Sequence, residues 1–146
     1  MGSANTAVFE LTVPSRMEEL EAIQDLVEKA TKAFGWDEEI AHWIELTVSE
    51  STINAIQHGN GLDPSKNVSL SLACDGKAIE VIVEDQGPGF DISAVPDPTD
   101  TENLMKPGGR GILIIQAFMD KVEMERFEGG GSRLRMIKNL DIEQPA

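Results

Sequence analysis

Five short stretches of the chain are rich in strand-forming residues, and this pattern predicts five β-strands. In the second and third stretches apolar and polar residues alternate on either side of Asp75-Gly76, which predicts a hairpin with one buried face. The same alternation places Cys74 in the core. Pro14 ends the first stretch and favours a position at the edge of the sheet. The five stretches cover residues 8–13, 68–74, 79–84, 122–127 and 132–138.

Apolar residues at helical spacing predict three helices. Ser15 and Glu18 predict a capping box at the start of the first helix. Asp37 is the predicted N-cap of the second helix, which should continue without a break to Gly59. The third helix is apolar and should begin at Gly111. The residues that mark the first helix and its end are Leu20, Ile23, Val27, Ala30, Phe34 and Gly35.

The segment from 86 to 111 shows no convincing period and is rich in Gly, Pro, Asp and Thr. A loop of this length in a compact domain is usually functional or disordered. The predicted order is one strand, two helices, two strands, the loop, one helix and two strands. This order predicts an α+β fold, a two-layer α/β sandwich whose mixed, largely antiparallel sheet carries helices on one face. We expect one domain over residues 1–146, with its core at about 8–139.

The chain has 146 residues and a net charge of −14, from 12 basic and 26 acidic side chains. This charge repels a nucleic-acid backbone, so we expect no direct nucleic-acid partner. No apolar run approaches the roughly 18 residues that a membrane span requires, and we expect no membrane partner. The single cysteine cannot form an internal disulfide, and the N-terminus shows no signal peptide. Together these features predict a cytoplasmic protein.

Glu50, Asn54 and His58 follow one another at intervals of four residues near the end of the predicted second helix. Residues at this spacing lie above one another on an α-helix, so a carboxylate, an amide and an imidazole would form one polar column. Apolar neighbours would pack the opposite face and leave the column facing a cleft. The same residue types also occur on ordinary solvated helix faces, so the column alone does not establish a site.

A second candidate site lies where the third predicted strand ends, in the sequence Asp85-Gln86-Gly87-Pro88-Gly89-Phe90. Asp85 supplies a carboxylate acceptor, and Gly87 and Gly89 let the backbone approach a flat ring closely because glycine has no Cβ. An amino-purine fits this combination. The other interpretation is an ordinary turn with a solvated aspartate.

A third candidate site, Lys106-Pro107-Gly108-Gly109-Arg110-Gly111, comes directly before the third predicted helix. Glycines at a helix N-terminus expose backbone N–H groups and the positive end of the helix dipole, which together bind phosphate. The sequence contains no Gly-Lys-Ser or Gly-Lys-Thr. A phosphate site here would therefore use backbone donors, Mg²⁺ and Lys106 or Arg110. A mobile glycine-rich loop is the other interpretation.

In this order, the three candidate sites resemble the GHKL ATPase superfamily of gyrase, histidine kinases and mismatch-repair ATPases. The resemblance is greatest to the anti-sigma-factor serine kinases of the RsbW and SpoIIAB type. Residues 49–59 resemble the N-box, residues 85–90 the first glycine box and residues 109–111 the second. The resemblance covers about residues 8 to 139 and implies the GHKL form of the α+β sandwich.

The resemblance implies a role for each matching residue. Asn54 would ligate Mg²⁺ through its amide oxygen, and Glu50 would act as general base toward the attacking hydroxyl. Asp85 would accept a hydrogen bond from the adenine amino group. Residues 95–109 would form the nucleotide lid, but the acidic segment 97–102 does not align with the family, so no partner-contacting lid residue is inferred. The predicted ATP-binding residues are Asn54, His58, Asp85, Gly87, Gly89, Lys106, Gly108, Gly109, Arg110, Gly111 and Ser132.

The resemblance implies an ATP-dependent protein serine/threonine kinase that uses Mg²⁺ and acts as an anti-sigma factor. Such a protein would phosphorylate an anti-anti-sigma (STAS-type) protein, sequester a sigma factor and form a homodimer. One alternative is a nucleotide-gated binding module with little or no kinase activity. Another is the detached ATP-binding half of a histidine kinase, although no histidine-bearing dimerisation helix precedes the domain.

Overall fold

A computed structural model describes residues 7–87 and 109–140, which include a five-stranded sheet in the order β1-β2-β3-β5-β4. Each neighbouring strand pair in these two ranges is antiparallel. β1 lies at an edge, as Pro14 predicts. The predicted α+β fold is confirmed. The strands are β1 (Ala7–Pro14), β2 (Asn67–Cys74), β3 (Ala78–Asp85), β4 (Lys121–Arg126) and β5 (Ser132–Asn139).

The described helices are α1 (Leu20–Phe34), α2 (Glu38–Asn54) and α3 (Gly109–Phe118). Gly35 ends α1 in the left-handed conformation with φ of 72°, which glycine adopts without steric strain. Asp37 caps α2, because its Oδ1 accepts a hydrogen bond from the Ile40 N–H at 2.8 Å. Both predicted boundaries are confirmed. In residues 7–87 and 109–140, no helix is long and apolar enough to cross a bilayer.

Two predicted helix starts are wrong. A 3-10 turn, Met17–Glu19, precedes α1, and its N-cap makes no side-chain hydrogen bond. The Ser15 hydroxyl donates to the Lys66 carbonyl at 2.7 Å instead of capping the helix, because a distant loop offers it a partly buried acceptor. The third helix begins at Gly109 rather than Gly111, so both glycines lie inside its first turn.

The core lies between the helices and one face of the sheet. Alternate residues of β2 and β3 point into it, and Leu72 faces Val81 across the two strands. Cys74 is buried, as its place in the alternation predicts. Because successive strand residues point to opposite faces, the intervening residues form a second face that the described helices do not cover. This open face carries the Arg133 and Arg135 side chains among glutamates.

Candidate functional site

The end of α2 differs from the prediction of one α-helix through Gly59. The α-helix ends at Asn54, and Ala55–Gly59 form a turn of π-helix. One turn earlier, the Ser51 and Thr52 hydroxyls donate to the Thr47 and Val48 carbonyls at 2.7 Å. Hydroxyls that bond to carbonyls in this way compete with the helix ladder and bend it. The adjacent Ser51-Thr52 pair was the available sequence signal, and single π turns are frequent at functional sites.

Glu50 and Asn54 are one α-helical turn apart, and both are partly buried. The Asn54 Oδ1 atom is buried, and no described residue donates a hydrogen bond to it. An unpartnered buried acceptor costs about 1–3 kcal/mol, a cost that a bound ligand would offset. Hard cations such as Mg²⁺ prefer oxygen donors, and the Asn54 oxygen therefore fits the metal that the family implies. His58 lies in the π turn and is exposed, so the predicted column is α-helical only from Glu50 to Asn54.

The end of the π turn packs against the end of β3 with backbone on backbone. A Cβ added at Gly59 would lie 2.5 Å from the Asp85 Oδ2 atom, and one added at Gly87 would lie 1.8 Å from the Gly59 carbonyl oxygen. Neither position has room for a side chain. The contact joins the N-box to the first glycine box and makes Gly59 a structural part of the site. The local sequence indicates a helix stop at Gly59 but not this contact, because the contacting residues lie far along the chain.

Asp85 is the last residue of the central strand β3, and its carboxylate is held at the end of that strand, here called the site edge. The Oδ1 atom accepts hydrogen bonds from the Gly87 N–H at 2.8 Å and from the Ser132 hydroxyl at 3.1 Å. Burial raises the pKa of Asp85 above the ordinary aspartate value, and the two hydrogen bonds partly oppose this shift. A partly buried carboxylate at a strand end is the acceptor that the sequence predicts for an amino-purine.

Ser132 reaches Asp85 because the two residues are directly opposite on β5 and β3. The preceding residue, Gly131, has φ of 106° and donates its N–H to the Gly87 carbonyl at 3.0 Å. Three segments therefore meet at this edge: the π turn, residues 85–87 and the Gly131-Ser132 pair. The structure brings the predicted residues Asp85, Gly87 and Ser132 together.

Asn60 is a fourth part of this edge, and the sequence around it, Asn60-Gly61, indicates only a turn. Its side chain is buried and bonds to three segments at once. The Nδ2 group donates to the Ser15 hydroxyl at 2.8 Å and to the Asn67 carbonyl at 3.0 Å. The Oδ1 atom accepts from the Gln86 N–H at 2.7 Å. An Asn-Gly pair is a common turn signal, and nothing local distinguishes this asparagine from a solvated one.

The first turn of α3 contains Gly109, Arg110 and Gly111. The first four N–H groups of a helix have no partner within it, which suits a phosphate. The helix packs against α2, and at its end the Phe118 ring stacks on Trp43 with centroids 5.5 Å apart. The candidate phosphate-binding helix is thus tied to the helix that carries Glu50 and Asn54.

A family model described as histidine kinase-like ATPase domain matches residues 13–138. The chain belongs to the histidine kinase-like ATPase family. It is 30% identical over 142 residues to the serine-protein kinase RsbW of Halalkalibacterium halodurans, with 93% of this chain and 85% of that protein covered. It is 35% identical over 101 residues to an anti-sigma F factor of Heyndrickxia coagulans, with 67% and 69% covered.

Solved structures share the fold of this histidine kinase-like ATPase. One contains the RsbU and RsbW domains of Rv1364c from Mycobacterium tuberculosis, with a TM-score of 0.62 and 16% identity over 92% of this chain. This chain spans 32% of that longer chain. Another is the SiaB-SiaC complex from Pseudomonas aeruginosa, with a TM-score of 0.63, 13% identity, and 90% and 89% of the two chains covered. At these identities the likeness shows the fold alone.

These comparisons confirm the predicted family and the predicted enzyme class, a protein serine kinase with an ATP-binding domain. The roles of individual residues stay predictions. Gly89, Lys106, Gly108 and nearly all of the expected lid, residues 95–109, lie outside the described residues.

Proposed function

We propose that this protein is an anti-sigma factor that uses MgATP to phosphorylate a serine of an anti-anti-sigma (STAS-type) protein and that sequesters a sigma factor. The meeting of the π turn, residues 85–87 and Gly131-Ser132 at Asp85 is the observation that carries the proposal. It joins the adenine acceptor to the segment that follows Asn54. Relatives named serine-protein kinase RsbW and anti-sigma F factor support the serine kinase activity and the sigma factor as a partner.

In this proposal each described residue has one task. The Asp85 carboxylate accepts a hydrogen bond from the adenine amino group, and N–H groups of the first turn of α3 hold phosphate oxygens. Asn54 would hold Mg²⁺ through Oδ1, and the bound ion would neutralise charge on the triphosphate. Glu50, one turn before Asn54, accepts the proton of the attacking serine hydroxyl. Positioning and charge neutralisation account for most of the catalysis of phosphoryl transfer.

The division of labour between Glu50 and Asn54 is tested with two variants and a control. Glu50→Ala should bind MgATP as tightly as the wild type and lose transfer, because it removes only the proton acceptor. Asn54→Ala should lose the part of ATP affinity that depends on Mg²⁺. Glu45→Ala, at an exposed position of α2, should change neither. Calorimetric titration with ATP, ADP and GTP, with and without Mg²⁺, measures binding. An equal loss of affinity in the two site variants would refute these roles.

Transfer itself is measured by incubating the protein with labelled ATP and a candidate STAS-type protein. Acid-stable phosphate on a serine of the partner is the expected product. Nucleotide-dependent binding without phosphoserine would instead indicate a nucleotide-gated switch. Acid-labile phosphate on a partner histidine would indicate a detached histidine kinase module.

We also propose a homodimer, which the resemblance to the anti-sigma-factor kinases implies. Sedimentation equilibrium with and without MgATP measures the mass of the assembly. A monomer at micromolar concentration under both conditions would refute this part of the proposal.

A further inference from the structure

Asn60 uses its whole amide group to join three segments of the fold. The residue is 3% exposed, so water does not compete for its hydrogen bonds. Both Nδ2 protons are used, one by the Ser15 hydroxyl and one by the Asn67 carbonyl. The Oδ1 atom accepts from the backbone N–H of Gln86. The residue therefore links the chain before α1, the start of β2 and the segment directly after Asp85.

The bond to Gln86 acts on the candidate adenine site because Gln86 is adjacent to Asp85. Its side chain is also fixed, since Oε1 accepts from the Asn67 N–H at 2.6 Å. The next residue, Gly87, is in backbone contact with Gly59, where a Cβ has no room. Asn60 directly follows Gly59 in the chain. The Asn60 side chain bonds to residue 86, while Gly59 packs against residues 85 and 87.

We infer that Asn60 is a positioning residue that sets the place of the Asp85 carboxylate and thereby the preference of the site for adenine. This inference rests on the proposed function of the site. Misplacement of a recognition group by about 1 Å can reduce its effect by orders of magnitude. Without the amide, the Gln86 N–H loses a buried acceptor, and residues 85–87 can shift relative to the π turn.

The chemistry of the three bonds selects an asparagine. An aspartate offers only acceptors when ionised, so its oxygens would face the Asn67 carbonyl without a proton between them. Burial of its charge would add a further penalty. A serine is too short and has one proton, so it cannot serve three partners. The amide group alone supplies two donors and one acceptor at the required reach.

The test compares Asn60→Ala with Ser15→Ala. Ser15→Ala is the control. It removes the hydroxyl that accepts a hydrogen bond from the Asn60 amide and leaves the bond between Asn60 and Gln86 in place. We expect N60A to weaken ATP binding about ten- to a hundredfold and to bring the ratio of ATP to GTP affinity close to one. Its affinity for magnesium tripolyphosphate should stay within about twofold of the wild type, because the phosphate donors lie on α3. S15A should change the ATP to GTP ratio less than about threefold.

A second readout reports on the bond itself. Amide hydrogen exchange of Gln86 should accelerate at least about tenfold in N60A and much less in S15A, because only N60A removes the acceptor. If N60A is too unstable to purify, Asn60→Ser is measured by the same affinity ratio and the same exchange rate.

The outcomes separate the inference from the proposed function. A wild-type protein that binds no ATP would overturn the proposed function and with it the inference. A wild type that prefers ATP, together with an N60A or N60S variant that keeps this preference, would overturn the inference alone. Equal losses of ATP and tripolyphosphate affinity would also overturn it, because they indicate a general loss of structure rather than a shifted Asp85.

Discussion

The two faces of the β3–β5 strand pair hold their polar groups in different ways. At the site edge, Asp85 bonds to Ser132 and Gly87 in a partly buried position, and the backbone of Gly59 packs directly against it. On the open face, Arg133 and Arg135 each lie between two glutamates, with side chains about 40% exposed. Water can replace a lost partner more easily on the open face than at the packed edge. A substitution should therefore have a large effect at the edge and a small one on the open face.

The ionisable groups show the same difference. Burial raises the pKa of the Asp85 carboxyl, so its charged form is disfavoured in the folded protein. Hydrogen bonds and charge from Glu84 and Glu80 raise the pKa of the Arg133 and Arg135 guanidinium groups, so their charged forms are favoured. The edge thus holds a charge whose location costs stability, whereas the open face holds charges that favour each other.

The largest effect is expected for Gly87→Ala. The new Cβ would lie 1.8 Å from the Gly59 carbonyl oxygen, a backbone atom, so the π turn or the segment after β3 must move. We expect destabilisation of about 1–3 kcal/mol and ATP binding weakened at least about tenfold. Gly76→Ala is the control, because φ of 88° strains the variant although no atom lies within 4 Å. It should lower the melting temperature and leave ATP binding intact. Wild-type ATP affinity in G87A would contradict the packed edge.

A smaller effect of opposite sign on stability is expected for Asp85→Asn. Folding raises the pKa of this carboxyl. Its contribution to stability is fully present below the pKa of the unfolded chain, near 3.8, and is lost as pH rises through the pKa of the folded protein. At neutral pH the neutral amide should therefore raise the melting temperature of the ligand-free protein. The gain should vanish toward pH 3.8. The variant should also lose its preference for ATP over GTP, because an amide donor would face the adenine amino group.

Asp75→Asn is the matched control for this pH dependence. Asp75 is fully exposed, and hydrogen bonds from the Lys77 and Ala78 N–H groups lower its pKa. A lowered pKa gives stability above the unfolded value that is lost as pH falls, so D75N should slightly lower the melting temperature at neutral pH. Thermal scans from acid to neutral pH measure both variants. Changes of the same sign in the melting temperatures of D85N and D75N at neutral pH would contradict the difference between partly buried Asp85 and exposed Asp75.

The sequence predicts those parts of this molecule that depend on neighbours in the chain. Asp37 and Gly35 follow local capping rules, and the alternation in β2 and β3 identifies the buried face. Local residue patterns predict the three candidate sites, and the resemblance of their order to a known superfamily implies the role of each residue. The same local rules predict a capping box at Ser15, and there the rule fails because the Lys66 carbonyl and the Asn60 amide offer the hydroxyl other partners.

The features that local patterns missed all depend on distant contacts. The close approach of Gly59 to Gly87 joins residues 28 positions apart, and the bond from Gln86 to Asn60 joins residues 26 positions apart. Neither hydrophobic periodicity nor turn rules can predict contacts between residues this far apart in the chain. The π turn has a local cause in Ser51 and Thr52, but it brings Gly59 to Asp85 only because β3 ends there.

The smallest effect is expected for Arg135→Met, on the open face of the same strand that carries Ser132. Arg135 bonds to Glu80 and lies 3.2 Å from Glu123, but solvent reaches all three groups. We expect a loss of less than about 1 kcal/mol in the free energy of unfolding, and a smaller loss at high salt, because exposed ion pairs are screened. Urea unfolding at low and high NaCl measures it. ATP affinity should not change.

Ser132→Ala makes the comparison within one strand. It removes the hydroxyl bond to Asp85 and leaves the open face untouched, so it should weaken ATP binding while R135M does not. A double-mutant cycle of R135M with Glu123→Gln isolates the pair contribution from other losses. A decrease in ATP affinity in R135M equal to that in S132A would mean that strain passes through the sheet from one face to the other. The open face would then help to hold the nucleotide site rather than only balance its own charges.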